Sequence, residues 1–183
     1  MRKGFVMWLT GLPCSGKTTL AQTIQKEFSY LRYPAEILDG DVTRKSISPD
    51  LGYSKEDRDI HARRVTRVAQ SLAWTGIPVI VALISPYRAM RERVRACVHP
   101  FVEIYVRCPL KECEKRDVKG LYRLARNNKI VNFTGVSDPY EEPLSPEITV
   151  DTDTADVTAC VEQIMGYLEK NKLLRRPSSL IVS

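Results

Sequence analysis

The sequence predicts one α/β domain, a parallel β-sheet with helices on both faces and a lid segment. Three observations carry this. Short apolar runs alternate with stretches of helical periodicity, which builds parallel sheets from strand-helix-strand units. A glycine-rich loop joins the first run to the first helical stretch. Residues 117–147 form a long connection rich in Gly, Asn, Pro and charge with little core pattern, and a connection of that length in a small domain is usually functional or mobile. The chain length of 183 residues suits one domain, placed at 1–175, with a flexible tail at 176–183.

The elements follow in order. Residues 5–10, Phe-Val-Met-Trp-Leu-Thr, make a strand stopped by Gly11, and 17–31 a helix with Leu20, Ala21, Ile24 and Phe28 on one face. Residues 35–38 form a second strand running into the acidic turn Asp39-Gly40-Asp41. Ser54 with Asp57 three residues on resembles a helix-opening box ahead of Val65, Val68, Leu72 and Ala73, and Gly76 and Pro78 end that helix. The unbroken apolar run 79–84 fits a strand buried on both faces. Ser85-Pro86 reads as the start and N-cap of a charged helix reaching about Val98. Strand 101–106, short helix 110–116, strand 148–150 and a helix near 155–170 complete the series.

Composition narrows the function classes. Hydrophobic residues at 43% and charged residues at 27% describe an ordinary globular chain, not a disordered or fibrous one. No apolar stretch approaches the roughly 20 residues of a membrane span, and no leader pattern stands at the N-terminus, so a soluble, cytoplasmic protein is expected. The five cysteines are odd in number and include no CxxC pair, which argues against a disulfide framework or a zinc site. A net charge of +6 favours anionic partners. No interleaved basic and aromatic stripe of the kind single-stranded nucleic acid prefers is present.

Gly11-Leu-Pro-Cys-Ser-Gly16-Lys17-Thr18 fits G-x-x-x-x-G-K-[ST], after a strand and opening a helix, where the mechanism requires it. Backbone N–H groups and the positive helix end cradle phosphate, Lys17 reaches the outer phosphates and the Thr18 hydroxyl ligates Mg²⁺. The expected ATP-binding segment is therefore Gly11, Leu12, Pro13, Cys14, Ser15, Gly16, Lys17, Thr18 and Thr19, with ATP and Mg²⁺ as cofactors. Cys14, at a helix entrance, reads as a filler with no base beside it.

Asp39 and Asp41 follow a strand and so emerge at the sheet edge that carries the phosphate loop. One carboxylate there can accept the proton of an attacking hydroxyl while another orients a Mg²⁺-bound water. Arg44, Arg58, Arg63 and Arg64 suit forked capture of phosphate or sulfate, although one helix cannot aim all of them.

These residues become recognisable as a set. The phosphate loop, Leu38-Asp-Gly-Asp-x-x-Arg44, Leu51-Gly-Tyr-Ser-x-Glu-Asp-Arg58, Ile84-Ser-Pro-Tyr-Arg88, Arg116-Asp-x-Lys-Gly-Leu-Tyr122 and Asn132-Phe-Thr-Gly135 with Asp138-Pro-Tyr140 resemble, in order, the adenylylsulfate kinase family of P-loop kinases. The resemblance covers nearly the whole chain. It implies a P-loop kinase fold and transfer of the ATP γ-phosphate to the 3′-hydroxyl of adenosine 5′-phosphosulfate. It further implies Asp39 as the catalytic base or its electrostatic partner, beside Lys17, and Asp41 at the acceptor and, through water, at Mg²⁺. Arg44 and Arg58 would hold the phosphosulfate, Tyr53 and Phe133 would sandwich the acceptor adenine, and Arg116 would lie beside the ATP base. Ile84, Ser85, Lys119 and His61 would complete the acceptor site. Val42 and His61 stand where the family commonly has Asn. The partner implied is a small-molecule acceptor, with no nucleic acid and no membrane. A homodimer and association with an ATP sulfurylase are compatible with the same resemblance.

Overall fold

A computed structural model describes residues 4–175, so the expected tail at 176–183 lies outside the described residues. The elements are β1 (Val6–Thr10), α1 (Lys17–Tyr30), β2 (Glu36–Asp39), α2 (Gly40–Ser46), α3 (Lys55–Trp74), β3 (Val79–Ala82), α4 (Arg88–Cys97), β4 (Phe101–Arg107), α5 (Leu110–Arg116), α6 (Leu121–Arg126), β5 (Ile148–Asp151) and α7 (Val157–Lys170). The five strands pair in parallel in the order β2-β3-β1-β4-β5.

β1 lies mid-sheet and is buried along its whole length. Because successive side chains face opposite ways, Phe5, Met7 and Leu9 pack with Leu20, Ile24 and Phe28 of α1 and Ile164 and Leu168 of α7. Val6 and Trp8 pack on the other face with Val65 and Ala69 of α3 and Val94 of α4. Both faces are therefore covered, as the continuous apolar runs require. The register sets Asp39 beside Ala82 and Thr10 beside Tyr105, so the strand ends share one edge. No described helix is long and apolar enough to cross a membrane.

Three local expectations need correction. The acidic turn is the start of α2: the Asp39 carboxylate accepts the Asp41 N–H at 2.9 Å and caps the helix. Only Thr43 of that helix is buried, so it carries no apolar periodicity to reveal it.

Ser85 is not a helix cap. α4 begins at Arg88, and its free N–H is met by Glu141 Oε2 at 2.8 Å, while the Ser85 hydroxyl accepts the Trp8 indole N–H at 2.9 Å.

The connection 117–147 also has a core of its own. It contains α6, and Tyr122, Ala125 and Phe133 pack with Cys108 and Cys113 against Leu12. Its later part is tied down: Tyr87 Oη donates to the Asp138 carboxylate at 2.8 and 2.9 Å, and Glu141 N–H donates to the Pro86 carbonyl at 2.8 Å.

The Ser54 box forms as expected, with the hydroxyl accepting the Asp57 N–H at 3.1 Å. Ser54→Ala should cost about 1 kcal/mol in a denaturant titration, because one helical N–H loses its partner. An unchanged midpoint and slope would show that the cap contributes nothing.

Candidate active site

The loop leaving β1 is shaped by what its glycines allow. A Cβ on Gly11, whose φ is 153°, would lie 2.4 Å from the Val106 carbonyl oxygen, so the loop can pass β4 this closely only without a side chain. Gly16 turns into α1 with φ 100°. The buried Lys17 ammonium donates to the carbonyls of Gly11 at 2.9 Å and Leu12 at 2.6 Å, and to Ser15 Oγ at 3.3 Å. Burial pushes this amine down to about 8, against the opposing fields of Cys113, Cys14, Asp39 and Asp41. Tyr122 Oη donates to the Pro13 carbonyl at 3.1 Å, which ties the 117–147 segment to the loop.

Thr18 Oγ1 donates to Asp39 Oδ2 at 2.7 Å. The phosphate loop and the end of β2 therefore meet through one hydrogen bond, and the other Asp39 oxygen caps α2. Asp41 is placed differently: its carboxylate forms an ion pair with Lys119, reaching over from 117–147. That bond holds the Lys119 amine above its ordinary range. Among the described residues no three His, Cys, Asp or Glu side chains gather as a metal cage. The Thr18 hydroxyl and Asp39 carboxylate are nonetheless hard oxygen donors that suit Mg²⁺, an ion that keeps water and phosphate oxygens as most of its ligands.

The next group of cations surrounds Tyr53, whose ring is exposed. The Arg44 guanidinium lies 5.1 Å and the Arg58 guanidinium 5.6 Å from its centroid. Arg44 Nη1 donates to the Gly52 carbonyl at 2.9 Å. Arg58, buried on α3, donates to the carbonyls of Tyr53 at 3.0 Å and Asn132 at 2.7 Å, so one side chain joins the two segments bearing the expected aromatic pair. The Phe133 ring itself is buried edge-on against Tyr122, at 4.9 Å between centroids. Arg63 and Arg64 point elsewhere, onto Asp59 at 3.4 Å and Asp50 at 2.5 Å.

His61 is 3% exposed, with Nδ1 3.0 Å from Ser48 Oγ and Nε2 3.4 Å from Thr43 Oγ1. Burial, then the fields of Arg44 and Arg64, push its pKa down to about 4, so the ring is neutral and joins α2 to α3. Val42 is exposed on α2, and Thr19 is exposed on the first turn of α1. At the end of β3 the Ile84 carbonyl accepts Thr10 Oγ1 at 2.7 Å, and Ser85 is buried.

Arg116 donates to the Thr152 carbonyl at 2.5 Å and to the Cys14 carbonyl at 3.4 Å, beside the phosphate loop. Thr152 is the partner that sequence reasoning missed: its hydroxyl donates to the Ser15 carbonyl at 2.8 Å, and its methyl would lie 3.7 Å from a Cβ on Gly16. Its position just past a strand end, on the edge where parallel sheets bind ligands, was the available signal.

A parallel sheet with this loop, its lysine and threonine, and a carboxylate at the end of β2, two strands away on the same edge, defines a P-loop kinase, an ATP-dependent phosphotransferase. Residues 3–151 match the family described as adenylylsulphate kinase. Adenylyl-sulfate kinase of Rippkaea orientalis is 44% identical over 179 residues, covering 98% of this chain and 99% of that one. The same enzyme of Clostridium acetobutylicum is 45% identical over 174 residues, 94% of this chain and 87% of that one. The Mycobacterium tuberculosis APS kinase CysC, solved in complex with AMPPNP and APS, superposes with a TM-score of 0.88 at 35% identity, covering 92% of this chain and 99% of that one. The chain belongs to the adenylylsulphate kinase family.

The buried Lys17 makes a testable contribution to stability. Its folded pKa of about 8 lies below the ordinary 10.5, so between those values the unfolded chain binds the proton and the folded one does not. Stability attributable to this group should therefore rise with pH across that window. Denaturant titrations between about pH 7.5 and pH 9.5 should show wild type gaining relative to Lys17→Met. A difference between the two proteins that does not change with pH would contradict the burial account.

Proposed function

We propose that this chain transfers the γ-phosphate of ATP to the 3′-hydroxyl of adenosine 5′-phosphosulfate, releasing ADP and 3′-phosphoadenosine 5′-phosphosulfate. The observation that carries the reading is the Thr18–Asp39 hydrogen bond, which sets a carboxylate at the phosphate loop and at the start of α2, the helix whose Arg44 flanks Tyr53 together with Arg58.

In this reading the loop amides and Lys17 hold the β- and γ-phosphates and neutralise charge as the bond to the leaving oxygen breaks. Mg²⁺, held by Thr18 and water, would supply charge neutralisation on the phosphates when bound. Asp39 accepts the proton of the attacking hydroxyl, and Asp41 stands by the acceptor, where Lys119 now pairs with it. Arg44 and Arg58 bind the phosphosulfate. Both give their hydrogen bonds to carbonyl oxygens here, with Asp138 3.8 Å from Arg58 the carboxylate beside them, so most of their charge stays available for an anion. Tyr53 and Phe133 flank the acceptor adenine, and Ile84 and Ser85 form the floor. Arg116 with Thr152 borders the ATP base. His61 acts by holding α2 against α3.

Residues 117–147 serve as the lid. Its later part is held by Tyr87, Pro86 and Arg91, while the Lys119–Asp41 pair and the Arg58 bond to the Asn132 carbonyl are contacts able to yield to a bound anion. Five free thiols suit a reducing cytoplasm. A homodimer and docking to an ATP sulfurylase belong to the same proposal and are read by the mass from sedimentation equilibrium and by co-sedimentation with that enzyme.

The direct test incubates the protein with ATP, Mg²⁺ and adenosine 5′-phosphosulfate beside a panel of other nucleotide and sugar-acid acceptors. ADP should form with the phosphosulfate and the new phosphate should be on its 3′-oxygen; preference for another acceptor would overturn the reading. Asp39→Asn should lose orders of magnitude in turnover with little change in ATP affinity. Loss of ATP affinity alone would make Asp39 a metal-site residue instead.

A further inference from the structure

One buried cation belongs to none of the motifs above. Arg91 on α4 is 3% exposed, and its guanidinium is used on every side. Its Nε lies 2.8 Å from Oε1 of Glu103, a β4 carboxylate that is 6% exposed. Its Nη1 donates to the Ser85 carbonyl at 2.6 Å and its Nη2 to the Glu141 carbonyl at 2.6 Å. The Tyr140 ring centroid is 5.7 Å away. Removing a charge pair from water is costly, and such a pair is weak evidence for stability by itself. What it holds is therefore the informative part.

It holds a strained turn. Ser85 has φ 44°, a conformation that side-chain-bearing residues rarely adopt. Two further contacts fix the same turn: Thr10 Oγ1, which also meets the Tyr140 hydroxyl at 2.9 Å, donates to the Ile84 carbonyl, and Trp8 Nε1 donates to Ser85 Oγ at 2.9 Å. The turn follows β3, whose Ala82 is the register partner of Asp39. The Glu141 bond ties the later part of 117–147 to the same guanidinium.

We propose that Arg91 is a positioning residue for the acceptor: it clamps the 84–86 turn in its strained conformation beside Asp39, and so fixes the floor of the acceptor pocket without touching the substrate. This rests on the proposed function for the meaning of that floor, but the clamp itself is independent of it.

Two variants separate the clamp from general stability. Arg91→Lys keeps the charge and loses the fork, because one ammonium cannot span Glu103 and both carbonyls. The double variant Arg91→Met with Glu103→Gln removes both buried charges and leaves no ion unpaired, a replacement that proteins commonly tolerate. Trp8 reports on the turn directly. Its indole is fully buried while that of Trp74, the other tryptophan, is exposed, so the two N–H signals in a ¹⁵N-correlated NMR spectrum are distinguishable by solvent exchange.

In both variants the Trp8 indole N–H should shift and exchange faster with solvent, as Ser85 relaxes and its hydroxyl moves. KM for adenosine 5′-phosphosulfate should rise about tenfold or more, with KM for ATP held within about twofold. Arg91→Lys should keep more acceptor affinity than the double variant. An unchanged Trp8 signal with both KM values unchanged, whatever the loss in melting temperature, would overturn the proposal. So would equal losses for ATP and acceptor. If wild type phosphorylates no phosphosulfate, the proposed function fails, and the Trp8 signal alone then decides whether Arg91 holds the turn.

Discussion

The hydrogen bond from Thr18 to Asp39 joins two elements that are far apart in sequence, and the rest of the site is arranged around it. It exists because β1 and β2 run parallel and end on one edge, separated by β3. β1 is buried on both faces, so its end at Thr10 is fixed by the two cores, and the loop that follows starts from a rigid point. Thr10 passes that rigidity on through its hydroxyl, to the Ile84 carbonyl on one side and the Tyr140 hydroxyl on the other. The phosphate loop, Asp39 and the 84–86 turn are thus positioned by strand ends, and residues 117–147 by the contacts they make to those ends.

The net charge of +6 has a local meaning in this arrangement. Several surface cations spend their charge on carboxylates: Arg64 on Asp50, Arg95 on Glu103 and Glu147, Arg107 on Asp151 and Arg126 on Glu114. Four cations around the cleft are held differently, whereas Lys119 pairs with Asp41. Lys17, Arg44 and Arg116 donate to carbonyls and hydroxyls, and Arg58 donates to two carbonyls with Asp138 only at 3.8 Å. A carbonyl orients a cation without cancelling its charge, so the positive field persists around the phosphate loop and Tyr53. The depressed Lys17 pKa is the counterpart: burial makes the charged amine costly, and the nearby thiols and carboxylates of Cys113, Cys14, Asp39 and Asp41 offset that only in part.

Strands and the phosphate loop were legible in the sequence because their signals are local. The apolar runs become β1, β3 and β4 within a residue or two of their expected ends, and Ser54 caps α3 as its spacing to Asp57 suggests. What stayed hidden depends on distant partners. α2 hides behind turn-forming residues because it is capped by Asp39 and buries only Thr43. Ser85-Pro86 reads as a helix start, yet the cap comes from Glu141, brought in from the far side of the chain. Thr152 and Arg91 carry no motif at all, and their importance appears only when the carbonyls of Ser15 and Ser85 are seen to need them. Among the expected site residues, the loop meets Asp39, Arg44 and Arg58 meet Tyr53, and Asp41 meets Lys119, whereas His61 turns inward.

The central claim is that ATP and acceptor meet on one sheet edge and the phosphoryl group passes directly between them, with Ser85 serving only the turn. The stereochemistry at phosphorus tests this most directly. ATP made chiral at the γ-phosphorus with oxygen isotopes should yield a 3′-phosphate of inverted configuration, the result of a single in-line displacement. Retention of configuration would require two displacements through a phosphorylated side chain, and would contradict the account.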